Sequence, residues 1–248
     1  MTYRFETTKR NFTDLAAGRV LYHQPGAPAF PVRLASEVFQ RCVAALQAEG
    51  KNSPYRLYDP LCGTGYLLTT LGFLHGQKLS KLFASDIDGE MLQWAKANLG
   101  LLTPSGLEKR RAELEQLYAA FGKFSHREAI KSVANLSQKL PQEIYFDCFK
   151  ADATKFDREY LKDKDVDIVI SDVPYDALTQ WKTVAEKDDP VAKMLRGLQV
   201  YLSPPAVIAI IADKKTKIPT LTYQRIKTFT VGKRRVIILM FSEKFAEP

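Results

Sequence analysis

The sequence is poor in cysteine, histidine and long apolar runs, and each shortage excludes a class of protein. Three cysteines and three histidines occur in 248 residues. Neither type is grouped at metal-ligand spacing, so we predict no bound metal. So few cysteines favour a reduced, cytoplasmic setting over a disulfide-rich secreted one. The longest apolar stretches, residues 206–212 and 236–241, are only strand-sized, which predicts no membrane span.

The chain also lacks the signals that divide or export a protein. The N-terminal sequence MTYRFETTKR has no apolar stretch of the kind found in a secretory signal. Internal repeats and low-complexity linkers are absent, and a chain of this length can form one large hydrophobic core. We therefore predict a single domain over residues 1–248 that acts as a monomer.

Hydrophobic periodicity predicts an α/β fold with a mostly parallel sheet. Strand-sized apolar segments alternate with helix-sized ones, which places helices on both faces of such a sheet. A further strand ends just before Lys150. Near the C-terminus, Gly232 separates two strand-like segments and can supply the positive φ of a hairpin turn. The predicted strands are residues 55–59, 81–85, 167–171, 207–212, 228–231 and 236–241, and the predicted helices are residues 66–75, 91–98 and 189–202.

Two segments lie outside this alternation. The N-terminal arm, residues 1–54, contains a turn-rich stretch and then a predicted helix over residues 31–47, with Pro31 suited to its first turn. Residues 103–140 are rich in Glu, Lys, Arg and Ala and predict two amphipathic helices separated near Gly122. We expect the second segment to be a helical insertion between the second and third strands.

Basic residues outnumber acidic ones by 36 to 28, and the excess is concentrated near the C-terminus. Residues 214–242 contain eight Lys or Arg and no Asp or Glu, so this segment alone carries a charge equal to the net +8 of the chain. Clustered cations bind polyanions by displacing counterions from phosphates. Charge alone leaves a solvated basic surface and a nucleic-acid surface equally open.

The motif DPLCGTGY, residues 59–66, lies between a predicted strand and a predicted helix. Its glycines let the backbone approach a ligand, and the N-terminus of the following helix offers free N–H groups. A nicotinamide-dinucleotide fingerprint needs glycine where Leu68 stands. The carboxylate of Asp59 also disfavours a pyrophosphate and suits a cationic amino group. The motif therefore favours a cofactor with an amino-acid moiety.

Acidic residues follow the next two strands. Asp86 lies 21 residues after Gly65, about where an acid reaches ribose hydroxyls in nucleotide-binding sheets. Asp88 is placed to cap the helix that follows. Asp152 can accept a hydrogen bond from an adenine amino group, although an Asp after a strand is also a common helix cap.

The motif SDVPY, residues 171–175, ends the fourth predicted strand and indicates the reaction. The carboxylate of Asp172 and a rigid backbone carbonyl beside Pro174 can together accept two hydrogen bonds from a planar NH₂ or a ring N–H. Tyr175 offers a flat surface on which a base can stack. Such a pocket orients a nitrogen lone pair toward a methyl donor largely by positioning. A base in structured nucleic acid must be flipped out to enter it.

In this order, the motifs resemble those of class I, Rossmann-like, S-adenosylmethionine-dependent methyltransferases. DPLCGTGY resembles their first motif, and SDVPY resembles the (Asp/Asn/Ser)-x-Pro-(Tyr/Phe) motif of members that methylate nitrogen atoms. With the arm DLAAGRVLYHQPGAPAFPVRLASEVFQR, the segment ASDID and the late KKTKIP, the resemblance extends over nearly the whole chain to the rRNA methyltransferases of avilamycin resistance. It implies methylation of a guanine nitrogen in large-subunit ribosomal RNA, and it suggests a role in antibiotic resistance.

The resemblance also implies a role for each motif residue. The residues implied to bind S-adenosylmethionine are Asp59, Pro60, Gly63 and Gly65 around its methionine end, Asp86 and Ile87 at its ribose, and Asp152 and Ala153 at its adenine. The residues implied to hold the target base are Asp172, Pro174 and Tyr175. Cys62 is interpreted as a packing residue, because a carbon-methylating enzyme would place its cysteine nucleophile near Pro174.

RNA contacts are predicted at two places. Lys214, Lys215 and Lys217 follow the last buried parallel strand, at the edge where such sheets bind ligands. Arg33, at the start of the arm helix, is expected to face the same crevice.

The same motifs are also compatible with other functions. Adenine N6 and a protein glutamine amide are alternative acceptors, because both offer a planar NH₂ group. The basic segment favours nucleic acid over protein, and the residues do not decide between guanine N1 and N2. A catalytically inactive RNA-binding module is a further alternative, against which the complete cofactor motif argues.

Overall fold

A seven-stranded sheet is the centre of the computed structural model, which describes residues 3–26, 29–155, 161, 165–174 and 189–242. Its order across the sheet is β3-β2-β1-β4-β5-β7-β6. The first five strands are parallel, and β7 is antiparallel to both of its neighbours. This confirms the predicted fold class. The strands are β1 (Tyr55–Asp59), β2 (Leu79–Asp86), β3 (Tyr145–Lys150), β4 (Val166–Asp172), β5 (Leu202–Asp213), β6 (Gln224–Val231) and β7 (Arg234–Phe241).

Helices cover both faces of the sheet. Successive strand residues point to opposite faces, so Leu57 belongs to a core with α1 and α2, whereas Tyr58 belongs to a core with α6. Among the described residues, no helix combines the length and apolar character needed to cross a bilayer. The helices are α1 (Val32–Ala48), α2 (Tyr66–His75), α3 (Gly89–Gly100), α4 (Pro104–Phe121), α5 (Phe124–Ser137) and α6 (Pro190–Leu198).

The helix predicted over residues 189–202 is too long at its C-terminal end. Asp189 caps α6 by accepting hydrogen bonds from two backbone N–H groups, and the helix ends at Leu198. A 3₁₀ turn follows, and β5 begins at Leu202, five residues earlier than the predicted strand. Prolines at 204 and 205 hold the preceding residues in extended backbone, which is the physical reason for the early switch to strand.

The insertion forms the predicted pair of helices, α4 and α5. Gly122 ends α4 with φ +61°, in the left-handed region, and its N–H donates to the carbonyl of Tyr118. The pair packs against the N-terminal arm: Arg110 donates to the carbonyl of Val20, and Arg19 donates to Ser132. The arm therefore lies between the insertion and the body of the sheet.

A buried glutamate fastens the start of the arm to α1. The carboxylate of Glu37 accepts the backbone N–H groups of Arg4, Phe5 and Glu6 at 2.8–2.9 Å and pairs with Arg41. Burial opposes its ionisation, but the three N–H groups and the guanidinium outweigh that effect and lower its pKa. The arm is thus held by charge-assisted hydrogen bonds as well as by apolar contact.

Replacing Glu37 by Ala should lower the free energy of unfolding by about 2–4 kcal/mol, because three N–H donors would lose a buried acceptor. Chemical denaturation checks this. Glu49→Ala, which removes an exposed glutamate at the end of the same helix, is the control and should change stability little. Equal stability of the two variants would contradict the assignment.

Candidate active site

The DPLCGTGY motif and the start of the SDVPY motif meet because β1 and β4 are neighbouring parallel strands. Leu57 pairs with Ile168 and Tyr58 with Val169, so both strands end at the same edge of the sheet. The hydroxyl of Ser171 donates to Asp59 Oδ1 at 2.8 Å. Two motifs separated by 112 positions along the chain are thereby joined by a hydrogen bond. The two motifs therefore lie together at one edge of the sheet, as the predicted chemistry requires.

Two glycines shape the loop after β1, each for a different reason. Gly63 and Gly65 have φ values of +51° and +70°. A Cβ on Gly65 would lie 2.9 Å from the Cα of Ala95, so this glycine lets α3 pack against the loop. A Cβ on Gly63 would meet no described atom within 4 Å. The open space beside the Gly63 backbone, close to the N-terminus of α2, could therefore accommodate a ligand.

Asp59 is a buried carboxyl group at this edge with a raised pKa. It is 3% exposed and accepts hydrogen bonds from Leu61 N–H and from Ser171. Burial raises its pKa to about 7, and the neighbouring carboxylates of Asp86 and Asp172 add to the shift. An acidic cluster of this kind favours a cation. The residues therefore fit a cofactor with a positively charged amino group and sulfonium, such as S-adenosylmethionine.

Asp86 connects the ends of β2 and β3 to the glycine loop. Its carboxylate accepts Gly63 N–H at 2.9 Å and Asp88 N–H at 2.9 Å, while its carbonyl accepts Ala151 N–H at 3.1 Å. Asp88 caps α3 through Glu90 N–H, as predicted. These bonds bring the predicted ribose-binding residues, Asp86 and Ile87, beside the loop that begins at Pro60.

Asp152 has a structural role in the turn after β3. Its Oδ1 accepts both the N–H and the hydroxyl of Thr154, and its Oδ2 lies 3.9 Å from Lys155 Nζ. Ala153 is buried in the core on the α6 side of the sheet. The turn lies at the correct edge, because Ala151 is bonded to Asp86. Recognition of adenine by this pair remains a prediction.

The end of β4 is fixed to β5 and faces an arginine from β7. Val173 N–H donates to the carbonyl of Ile211 at 2.9 Å, which positions Asp172 and Pro174 on either side of it. Arg234 Nε lies 3.9 Å from Asp172 Oδ2. The Arg234 guanidinium also lies 5.6 Å from the ring centroid of Phe30 in the arm. Tyr175 lies outside the described residues.

The predicted RNA-binding lysines lie at the same edge of the sheet. Lys214, Lys215 and Lys217 follow β5 and are exposed. Lys214 N–H donates to the carbonyl of Lys233 in the turn between β6 and β7, so that turn extends the basic surface. Arg33 has a different environment. Its guanidinium donates to backbone carbonyls of the arm and stacks 4.2 Å from the Tyr3 ring, and its RNA contact remains a prediction.

Sequence reasoning overlooked two residues that organise the site. Asn98, fully buried on α3, bonds both the N–H and the carbonyl of Tyr22 and donates to the carbonyl of Thr64 in the glycine loop. A polar residue at an apolar position of the helix was the available signal, since buried amides need partners. Arg234 gave no such signal, because the pairing of β7 with β5 that places it opposite Asp213 joins segments that no local pattern connects.

The Cys62 thiol in the glycine loop has the environment of a packing residue. It is 7% exposed, and burial raises its pKa well above the ordinary value, which disfavours the reactive thiolate. Among the residues that the structure describes, no cluster of His, Cys, Asp and Glu side chains could hold a metal ion.

Alanine substitutions should separate the two glycine roles. Gly65→Ala should destabilise the fold by more than about 2 kcal/mol, because positive φ and a backbone clash act together. Gly63→Ala should cost only about 1 kcal/mol but weaken S-adenosylmethionine binding at least tenfold by filling the open space beside the backbone. Thermal unfolding and calorimetric titration measure both effects.

Gly122→Ala is the matched control for Gly63→Ala. Gly122 lies far along the chain in the insertion, has φ +61°, and a Cβ there would likewise meet nothing within 4 Å. This variant should share the small loss of stability and retain full cofactor affinity. Equal affinity of the Gly63 and Gly122 variants would remove Gly63 from the site.

Comparison with known proteins identifies the family of the chain. A family model described as rRNA methyltransferase AviRa matches residues 1–234. The chain is 39% identical over 242 residues to a 23S rRNA (guanine(2535)-N(1))-methyltransferase of Streptomyces viridochromogenes, covering 96% of this chain and 95% of that protein.

Solved structures give the same result. Two structures of the rRNA methyltransferase AviRa from Streptomyces viridochromogenes superpose with TM-scores of 0.87 and 0.84, at 35% and 37% identity. Each match covers 97% of this chain and 96% of the other. The sequence match, the fold and the arrangement of the two motifs at one sheet edge agree, and the chain belongs to the AviRa family of rRNA methyltransferases.

Proposed function

We propose that the protein transfers a methyl group from S-adenosylmethionine to N1 of a guanine in 23S ribosomal RNA. The observation that carries this proposal is the junction of Asp59, Ser171 and Asp172 at one sheet edge. The residues alone do not distinguish guanine N1 from N2, and the activity named for the 39% identical relative supports N1. By the same relationship, the target corresponds to guanine 2535 of that relative's substrate.

The acidic side of the crevice binds the cofactor in this proposal. S-adenosylmethionine supplies a methyl group on a positively charged sulfur. Asp59 and the backbone beside Gly63 hold its amino-acid end, and Asp86 holds the ribose. Asp152 and Ala153 lie where the adenine ring is expected. Because Asp86 also bonds Gly63 N–H, the loop and the ribose position are set by the same side chain.

The Asp172 side of the crevice orients the base. Its carboxylate accepts a hydrogen bond from the guanine Watson–Crick edge, and the backbone beside Pro174 accepts a second one. Tyr175 is proposed to stack on the ring. Fixing the base plane in this way directs N1 at the methyl group, and positioning of this kind can supply much of the rate. The proton on N1 passes to the Asp172 carboxylate as N1 gains the methyl group, so the base remains neutral. Arg234 offsets part of the negative charge that the acidic cluster places near the base.

The basic surface is proposed to hold the RNA backbone while one base enters the pocket. Lys214, Lys215 and Lys217 are exposed beside the turn at Lys233, and no carboxylate interrupts the sequence from 214 to 242. Phosphate contacts fix orientation without reading sequence. We further propose that the protein is a cytoplasmic, single-domain monomer whose modification of the ribosome confers resistance to an antibiotic bound there.

Asp172→Asn should reduce methyl transfer at least 100-fold while S-adenosylmethionine affinity changes less than threefold, because the base and not the cofactor loses the carboxylate that accepts its N1 proton. The assay uses labelled cofactor and 23S rRNA that lacks the modification, with the labelled nucleoside identified by mass spectrometry. Recovery of 1-methylguanosine supports the proposal.

Asp165→Asn is the control for this substitution, since Asp165 lies just before β4 at the opposite edge and pairs with Arg56. It should retain activity. Label in N6-methyladenosine, or in protein glutamine, would replace the proposed acceptor. Failure of the wild-type protein to bind S-adenosylmethionine would favour an inactive RNA-binding module.

Cofactor affinity should depend on pH through Asp59. Its pKa is raised from 3.8 to about 7 in the unliganded protein. The unfolded chain therefore ionises first, and the free energy of unfolding falls as pH rises from 4 toward 7. A bound cation favours that ionised form. We therefore expect affinity to rise up to about tenfold per pH unit between pH 5.5 and 7, then to level off.

Calorimetry at pH 6 in two buffers of different ionisation enthalpy tests this directly. Binding should release most of one proton, and Asp59→Asn should abolish both the release and the pH dependence. Proton release that persists in Asp59→Asn would assign the titration to another group.

A further inference from the structure

The free end of the insertion carries apolar surface that the fold leaves uncovered. Leu114 is the last buried residue of α4 and Ala129 is the first of α5. Residues 115–125 between them are all exposed. We call residues 115–127 the hairpin tip. Its large exposed side chains are Leu117, Tyr118, Phe121 and Phe124, with 37%, 37%, 64% and 66% of their surface accessible.

The concentration of these side chains is unusual for a surface that only meets water. Four of the seven large hydrophobic side chains that are exposed in the described part of the chain belong to the hairpin tip. Scattered exposed hydrophobics are ordinary, whereas a contiguous group marks a contact surface. None of the four packs into either core. They therefore contribute little to folding.

The charges around the rings indicate what the surface contacts. No Asp or Glu occurs from 116 to 127, whereas Lys123 and Arg127 do. Lys123 Nζ lies 5.7 Å from the Phe121 ring centroid, and the Arg127 guanidinium lies 5.0 Å from that of Phe124. Aromatic faces stack with unpaired bases, and cations beside them pair with the flanking phosphates. The same cations would be unfavourable against a second copy of this basic protein.

We propose that the hairpin tip is a second RNA-binding surface, which stacks unpaired bases of the substrate on Phe121 and Phe124 while Lys123 and Arg127 contact phosphates. The proposal rests on rRNA being the substrate. The 18 residues of α4 extend about 27 Å, and the hairpin base is fixed to the arm through Arg110 and Arg19. A rigid hairpin of this length gives the enzyme a contact with a loop or bulge in addition to the base pocket.

The test compares RNA binding by the wild type and by the double variant Phe121→Ala/Phe124→Ala. The probe is an unmodified 23S rRNA fragment that contains the target guanine, and affinity is measured by fluorescence anisotropy. Loss of two stacking rings should weaken binding about 10- to 100-fold. KM for RNA should rise by a similar factor, while kcat at saturating RNA, cofactor affinity and melting temperature stay unchanged.

Tyr145→Ala is the matched control, because Tyr145 on β3 is 67% exposed, as Phe124 is 66% exposed. Its RNA affinity should equal that of the wild type. A salt titration distinguishes the contribution of the aromatic rings from that of the charges. Lys123→Ala/Arg127→Ala should reduce the slope of log affinity against log salt by about 1–2. Phe121→Ala/Phe124→Ala should leave that slope unchanged. Lys214→Ala/Lys215→Ala/Lys217→Ala provides the reference for a purely electrostatic loss.

Three results would overturn the proposal. RNA affinity of Phe121→Ala/Phe124→Ala equal to that of Tyr145→Ala would remove the tip from RNA binding. A loss seen with assembled large subunits but not with free rRNA would identify a ribosomal protein as the partner. A wild-type dimer that the double variant dissociates in sedimentation would identify self-association. Methyl transfer is scored separately, so wild-type protein that binds this RNA without methylating it would contradict the proposed function and not the tip assignment.

Discussion

The parallel pairing of β1 with β4 is the constraint on which the site depends. Strands that run side by side in the same direction end at the same edge, so the residues following them face one crevice. Here the pairing brings the Gly63 loop next to Asp172, and the bond from Ser171 to Asp59 fixes their separation. A cofactor and an acceptor base need this closeness, because methyl transfer requires the two reacting atoms to be in contact.

The electrostatics of the edge divide into an acidic interior and a basic rim. Asp86 and Asp172 lie close enough to Asp59 for their negative charges to raise its pKa further, in addition to the effect of burial. Burying Asp59 beside two partly exposed carboxylates costs stability, which is expected where a site is preorganised for a cation. The exposed lysines after β5 and in the hairpin turn place positive charge at the same edge as these carboxylates. The same edge therefore suits a cationic cofactor inside and a polyanion outside.

The arm and the insertion stabilise the site and also extend it. Glu37 fastens the arm to α1, and Asn98 connects the arm to the carbonyl of Thr64 in the cofactor loop. Phe30 of the arm packs beside Arg234, which faces Asp172. The insertion rests on the arm and presents an aromatic, basic tip away from the core. Segments outside the common sheet thus hold the cofactor loop and Arg234 in position.

The sequence by itself determined the alternation of strands and helices, the glycine loop, the helix cap at Asp88 and the break at Gly122, because short-range periodicity, capping and backbone conformation decide them. It also identified Asp59, Asp86 and Asp172 as candidates. Only the tertiary structure decided which partners the candidate side chains bond. In the structure, Arg33 bonds backbone carbonyls of the arm, and Asp152 bonds its own turn. Asn98 and Arg234 entered the site through contacts 34 and 62 positions distant along the chain. Such partners are set by strand order and packing, which no local pattern encodes.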